Sequence, residues 1–192
     1  MNKVFRLRST IARPADATAY AAGDEISNSA TAGSVVRATF NLAGFKRGRL
    51  IAAEIDLTPA SGNVVTTAAD LDLLIFKTAD VPAAVGDNVT NPIAAASRAA
   101  AIGGFRFDDT GWTGPLGTVA AGASQFQAVT PTLVQPLATN VLQYPWPQGY
   151  FFEFTDDEAH TFTAALRALA AWTPGAVVNT FGITLDIEAC TA

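Results

Sequence analysis

Arg49–Leu57 reads RLIAAEIDL, and it lies between two other short apolar runs, Ser34–Leu42 (SVVRATFNL) and Leu71–Phe76 (LDLLIF). Each run is bounded by Gly, Pro, Asn or Asp and is too short for a globular helix, so each reads as a strand. In the middle run Leu50, Ala52, Glu54 and Asp56 fall on one face and Ile51, Ala53, Ile55 and Leu57 on the other. One buried face and one half-wet face describe an antiparallel sheet. Three such strands in close succession share a sheet or face each other across a sandwich.

Outward from this stretch, the strand signals continue. Ile102–Phe107 (IGGFRF) and Gly149–Phe154 (GYFFEF) are strand candidates, and Phe181, Ile183, Leu185 and Ile187 alternate with Gly182, Thr184, Asp186 and Glu188. That last run, within Val177–Glu188, is the cleanest period of two in the chain. Gly117–Thr130 reads as loop or edge. Pro136, Pro145 and Pro147 exclude a central strand or helix interior around Tyr144 and Trp146. Lys77–Pro92 reads as an irregular loop with a helical turn near Val81–Val85, and Ala94–Ala101 as a short helix or crossing segment. Thr161–Trp172 fits two periods. As a helix it gathers Phe162, Ala165, Leu166, Leu169 and Trp172 on one face; as a strand it gathers Phe162, Ala164, Leu166, Ala168, Ala170 and Trp172, with Arg167 pointing away. Pattern alone favours the helix.

The composition bounds the function. A chain of 192 residues buries a core without staples. Charged residues make up 15%, against about 25% in ordinary globular proteins, which suits a surface covered by neighbours and equally an alanine-rich source. The net charge of −5 argues against a general nucleic-acid binder. One cysteine, Cys190, makes no intrachain disulfide. No apolar run reaches the roughly 18 residues of a membrane span, and residues 1–13 lack the apolar core of a signal peptide. We expect residues 1–18 to be an N-terminal arm or first strand, and 19–192 a single β-sandwich domain.

Candidate chemistry is sparse. His160 is the one histidine and has no sequence neighbour with which to build a dyad. The carboxylate clusters Asp70/Asp72, Asp108/Asp109 and Asp156/Asp157/Glu158 read first as solvated turns. Structural calcium is their next use, and catalysis by paired carboxylates the last. Lys46, Arg47 and Arg49, flanked by Gly44 and Gly48, form a basic turn that lacks the order of a phosphate loop. The basic N-terminal residues Lys3, Arg6, Arg8 and Arg13 and the loop aromatics Trp112, Tyr144 and Trp146 are the candidate interface residues. Trp172 and Tyr20 also border loops.

Tyr20-Ala21-Ala22-Gly23-Asp24, Val35–Leu42, Gly48-Arg49-Leu50-Ile51, Leu71–Phe76, the Pro82…Asp87-Asn88 loop, Ala164–Pro174 and Phe181–Leu185 together resemble a group of β-rich virion structural proteins of tailed bacteriophages, the head or decoration proteins. The resemblance spans most of the chain beyond residue 18, and the Pro136–Pro147 stretch departs from it. It implies an all-β, jelly-roll-like antiparallel sandwich and settles Thr161–Trp172 as a strand. It implies a non-enzymatic protein, without cofactor, that decorates or stabilises a capsid. Its partners are then the major capsid protein and copies of itself, as a trimer, without nucleic acid, membrane or small-molecule substrate. Its place is the virion surface after synthesis in a host cytoplasm. The rival expectation is a carbohydrate-binding sandwich that stacks sugars on Trp112, Tyr144 or Trp146.

Overall fold

The computed structural model describes residues 3–42, 44–59, 70–91, 100–107, 125–129, 149–176 and 178–189. Ten strands occur in them: β1 (Lys3–Arg13), β2 (Glu25–Ile26), β3 (Thr39–Asn41), β4 (Arg47–Pro59), β5 (Leu71–Lys77), β6 (Ala101–Phe107), β7 (Gln125–Val129), β8 (Tyr150–Glu153), β9 (Thr161–Ala168) and β10 (Asn179–Ala189). The first sheet runs β1-β10-β4-β7, with β8 also on β4; the second runs β2-β9-β5-β6, with β3 also on β9. Every pairing is antiparallel.

The strand order identifies the architecture. β2 and β3 occupy successive parts of one edge of β9, and β7 and β8 successive parts of one edge of β4. Each couple fills one position, so ten strands make eight (10 − 2). Numbered along the chain, the sheets then read 1-8-3-6 and 2-7-4-5. This is the double Greek key of a jelly roll. The all-β antiparallel sandwich expected from the sequence is what the chain forms.

The space between the sheets is filled by side chains. Phe40, Phe105, Phe107, Phe152, Phe154, Phe162, Trp172 and Phe181 are buried there with Leu50, Ile55, Leu57, Leu73, Ile75, Leu166, Ile183, Leu185 and Ile187. Phe162 sits edge-on to Phe152 at 4.8 Å between ring centroids and 5.6 Å from Phe154. Each such ring contributes about 1.5–3 kcal/mol by leaving water.

Several local expectations change. In β4 the alternation slips, because Asp186 pairs with Ala52 while Ile187 pairs with Leu50. Ile51 is the extra residue of a bulge. Leu50 therefore turns inward with Ala53, Ile55 and Leu57 and not outward with Ala52, Glu54 and Asp56. The strand expected over Ser34–Leu42 is confined to Thr39–Asn41, and Ala32–Ser34 forms a 3-10 turn. The reason is local: Val36 N–H donates to Asn28 Oδ1 and Arg37 turns back to Glu25, so side chains take this segment before a ladder does. The helical turn near Val81–Val85 falls instead at Thr78–Asp80. β7 lies on the stretch read as loop or edge. The segments at 94–99 and 136–147 lie outside the described residues.

Thr161–Trp172 yields the strand β9, and the structure explains its helical look. Phe162, Ala164, Leu166 and Ala168 face the inter-sheet core. On the other face Ala165 joins Leu74 and Phe76 in a second apolar cluster, which Val81 and Ala101 cover. With both faces buried, apolar residues recur at both parities and imitate a helical stripe.

Candidate interface

β1 is an edge strand, paired with β10 from Lys3↔Ala189 to Arg13↔Asn179. Its odd positions Phe5, Leu7, Ser9 and Ile11 face the core side, and its even positions Val4, Arg6, Arg8 and Thr10 face outward and are exposed. Arg6 and Arg8 therefore stand on the outer face of the first sheet. Each reaches diagonally across β10 to a carboxylate on β4. Arg6 Nη2 donates to Glu54 at 2.7 Å, and Arg8 donates through both Nη atoms to Asp56, the Nη2–Oδ1 bond at 3.0 Å. Both guanidiniums are held further into the charged form, in each case chiefly by that hydrogen bond. Further along the face Arg49 is bound to Glu188 and covers the ring of Phe151 at 5.6 Å.

Gly182 lets the Arg8–Asp56 pair cross β10. A Cβ there would overlap Arg8 Nη2 and Asp56 Oδ2. The position is glycine because an ion pair lies flat over its backbone.

Of the basic candidates, Lys3 is exposed, and Arg6 and Arg8 are outward but engaged. Arg13 does not belong to a surface. It is fully buried, donates from Nε to Tyr20 Oη at 2.9 Å, and also binds Asp16. Trp112, Tyr144 and Trp146 lie outside the described residues. Trp172 is buried, stacked on Tyr20 with ring centroids 5.3 Å apart, and so offers no exposed face to a sugar.

The buried polar groups form a clasp that the sequence reading missed. Tyr20 donates to Asp87, with Oη 2.7 Å from both carboxylate oxygens, and Ser27 N–H donates to Asp87 Oδ1 at 2.8 Å. Burial pushes the Asp87 carboxyl up, while Ser27, Tyr20 and Arg13 oppose that shift. Burial together with the Asp87 hydrogen bond pushes the Tyr20 phenol far up. Beside it Glu25 binds Arg37 in bidentate fashion (2.7 and 3.0 Å) and accepts from Asn91 Nδ2 at 2.6 Å. Asp24 accepts from Thr90 Oγ1 at 2.7 Å. The contacts of Asp87, Thr90 and Asn91 tie the long β5–β6 connection to the segment preceding β3, and the Glu25–Arg37 pair braces that segment internally. The Tyr20…Asp24 and Asp87-Asn88 signals were visible in the sequence, but nothing in their spacing paired them.

The other candidates for chemistry are likewise engaged in the scaffold. Asp72 binds Arg167, and both are buried; Asp72 Oδ1 and Arg167 Nε have no partner among the described residues. Lys46 binds Asp156, Lys77 binds Glu158 at 3.0 Å, and Arg49 binds Glu188. Lys46 and Arg49 of the basic turn thus meet carboxylates of their own chain. The His160 ring lies 5.4 Å from that of Phe154. Among the described residues no three His, Cys, Asp or Glu side chains gather as a metal site. Cys190, Asp108 and Asp109 lie outside them.

No family model and no curated protein matches the chain. Among solved structures it is similar to the virus-like particle of the nodavirus of the giant freshwater prawn Macrobrachium rosenbergii, with 12% identity, 98% of this chain and 93% of that one covered, and a TM-score of 0.35. It is also similar to a 60-mer BFDV capsid protein (11% identity, 98% and 94% covered, TM-score 0.29) and to Desmodium yellow mottle tymovirus (14%, 100% and 91% covered, TM-score 0.26). Superpositions this loose decide neither fold nor function; the strand order alone carries the fold.

Proposed function

We propose that this chain is a non-enzymatic structural protein of a virion, which acts by contact with copies of itself and with a shell protein. Jelly rolls serve capsids, lectins and cupins alike, so fold alone does not choose. The observation that carries the reading is the use made of polar groups. The inter-sheet space is filled by aromatic rings, and the buried carboxylates Glu25, Asp56, Asp72 and Asp87 are bound to arginine or to a clasp within the scaffold. Among the described residues this leaves the outer surface for function.

The finer reading follows the resemblance in the sequence. The protein decorates the capsid of a tailed bacteriophage, joins the major capsid protein at the virion surface after synthesis in the host cytoplasm, and self-associates as a trimer. Lys3, Arg6 and Arg8 belong to its contact surface, with Trp112, Tyr144 and Trp146. The net charge of −5 directs it to protein and not to nucleic acid. Analytical ultracentrifugation of the purified protein, with pelleting of the labelled protein on capsids, tests this. Oligomers and saturable pelleting are expected. A monomer at all concentrations that stays in the supernatant overturns it.

A further inference from the structure

We infer that the outer face along β1 is where a second copy of this chain docks, through the carboxylates of its β8–β9 turn. The inference rests on the self-association proposed above and names its contact. β1 carries Lys3, Arg6, Arg8 and Arg13 and no carboxylate, so a net charge of −5 leaves −9 on the rest of the chain (−5 − 4). Arg13 is buried and Lys3 is exposed at the strand's start, which leaves Arg6 and Arg8 as the two cations of the outer face.

The exposures decide what a partner meets. The Arg6 and Arg8 side chains are 58% and 50% exposed, whereas Glu54 and Asp56 beneath them are 28% and 12% exposed. The face therefore presents guanidinium, with donors of Arg6 to spare beyond its bond to Glu54. Among the described residues β10 is the only strand paired with β1.

The complement lies across the sheet. Glu153, at the end of β8, and Asp156 and Asp157, in the turn before β9, are exposed, and the Asp156 side chain is 80% exposed. Lys46, Arg47 and Lys77 stand near this turn. Of these Lys46 binds Asp156 with its own side chain 51% exposed, and Lys77 binds Glu158. An exposed pair of this kind holds by about 0–1 kcal/mol, so Asp156 exchanges lysine for a forked guanidinium at little cost.

One copy cannot make this contact with itself. β1 and β8 lie on opposite sides of the β10–β4 pair, three strand spacings or about 14 Å apart. The contact therefore joins two different patches, which close either reciprocally about a two-fold axis or head to tail in a ring when the rotation allows.

Sedimentation of the intact chain tests it. Association of the wild type weakens as salt rises from about 0.05 to 0.5 M, because the contact is charged. Arg6→Glu with Arg8→Glu weakens association at least about tenfold, as does Asp156→Lys with Asp157→Lys; all four together restore it. Circular dichroism checks that each variant is folded. A wild type that associates but ignores both salt and the turn reversal overturns this contact and leaves the proposed function standing. A wild type that never associates overturns both.

Discussion

Tyr20→Phe removes one oxygen from the centre of the clasp. That hydroxyl accepts from Arg13 Nε at 2.9 Å and donates to Asp87 at 2.7 Å. Hydrogen bonds to charged partners contribute about 1.5–3 kcal/mol each. The phenylalanine ring keeps its stacking on Trp172, so no cavity forms, and the loss is polar. Two such bonds sum to about 3–6 kcal/mol; water entering beside Asp16, which is partly exposed, brings the expectation to about 3 kcal/mol. For a domain of this size that lowers Tm by about 6–12 °C. Urea titration followed by tryptophan fluorescence reads it, because Trp172 lies against the substituted ring. A double-mutant cycle with Asp87→Asn isolates the shared bond and is expected to give a coupling of at least about 1 kcal/mol. A Tyr20→Phe loss below about 0.5 kcal/mol, the level of an unremarkable surface change, refutes the claim that the clasp holds the β5–β6 connection.

Other outcomes follow from single contacts. Gly182→Ala places a methyl group where Arg8 and Asp56 meet; displacing the pair costs about 1–3 kcal/mol, offset by up to about 1 kcal/mol from the stiffer unfolded chain, so chemical denaturation shows a net loss. A stabilised Gly182→Ala variant would mean that the pair does not cross there. Phe162→Ala empties the centre of the core and costs about 3–5 kcal/mol, whereas Val36→Ser, at a position 68% exposed, changes stability by no more than about 0.5 kcal/mol; equal effects would contradict the packing. Acid titration by NMR separates the carboxylates. Asp156, held by Lys46, and Glu158, held by Thr155 N–H and Lys77, titrate below their ordinary 3.8 and 4.5, so their contribution is present above those values and lost as pH falls. Asp87 titrates above 3.8 because it is buried, so its contribution is present below that value and lost as pH rises through the raised one; Asp87→Asn removes this decline.

The sequence carried the sandwich because strand periodicity is a local signal. Leu71–Phe76 and Phe181–Glu188 each announce themselves over a few residues, and both appear as expected in β5 and β10. Pairing is not local. The bulge at Ile51 is visible only once β10 lies beside β4, which is why the alternation of RLIAAEIDL assigned Leu50 to the wrong face. β9 misled its helical reading because a connection from elsewhere in the chain covers its second face. The same limit governs the site. Basic residues at 3, 6, 8 and 13 look equivalent in sequence, yet strand parity sends Arg6 and Arg8 outward, while Arg13 turns inward to Tyr20. Nothing short of the fold brings Tyr20 to Asp87, 67 residues away.

Imaging of virions by electron cryomicroscopy, with this chain located in the map, tests the central claim most directly. Jelly-roll density is expected at every equivalent position of the shell, with the outer face of β1 against a neighbouring copy. A shell without the chain, together with a purified protein that sediments as a monomer and leaves capsids unbound, would contradict it.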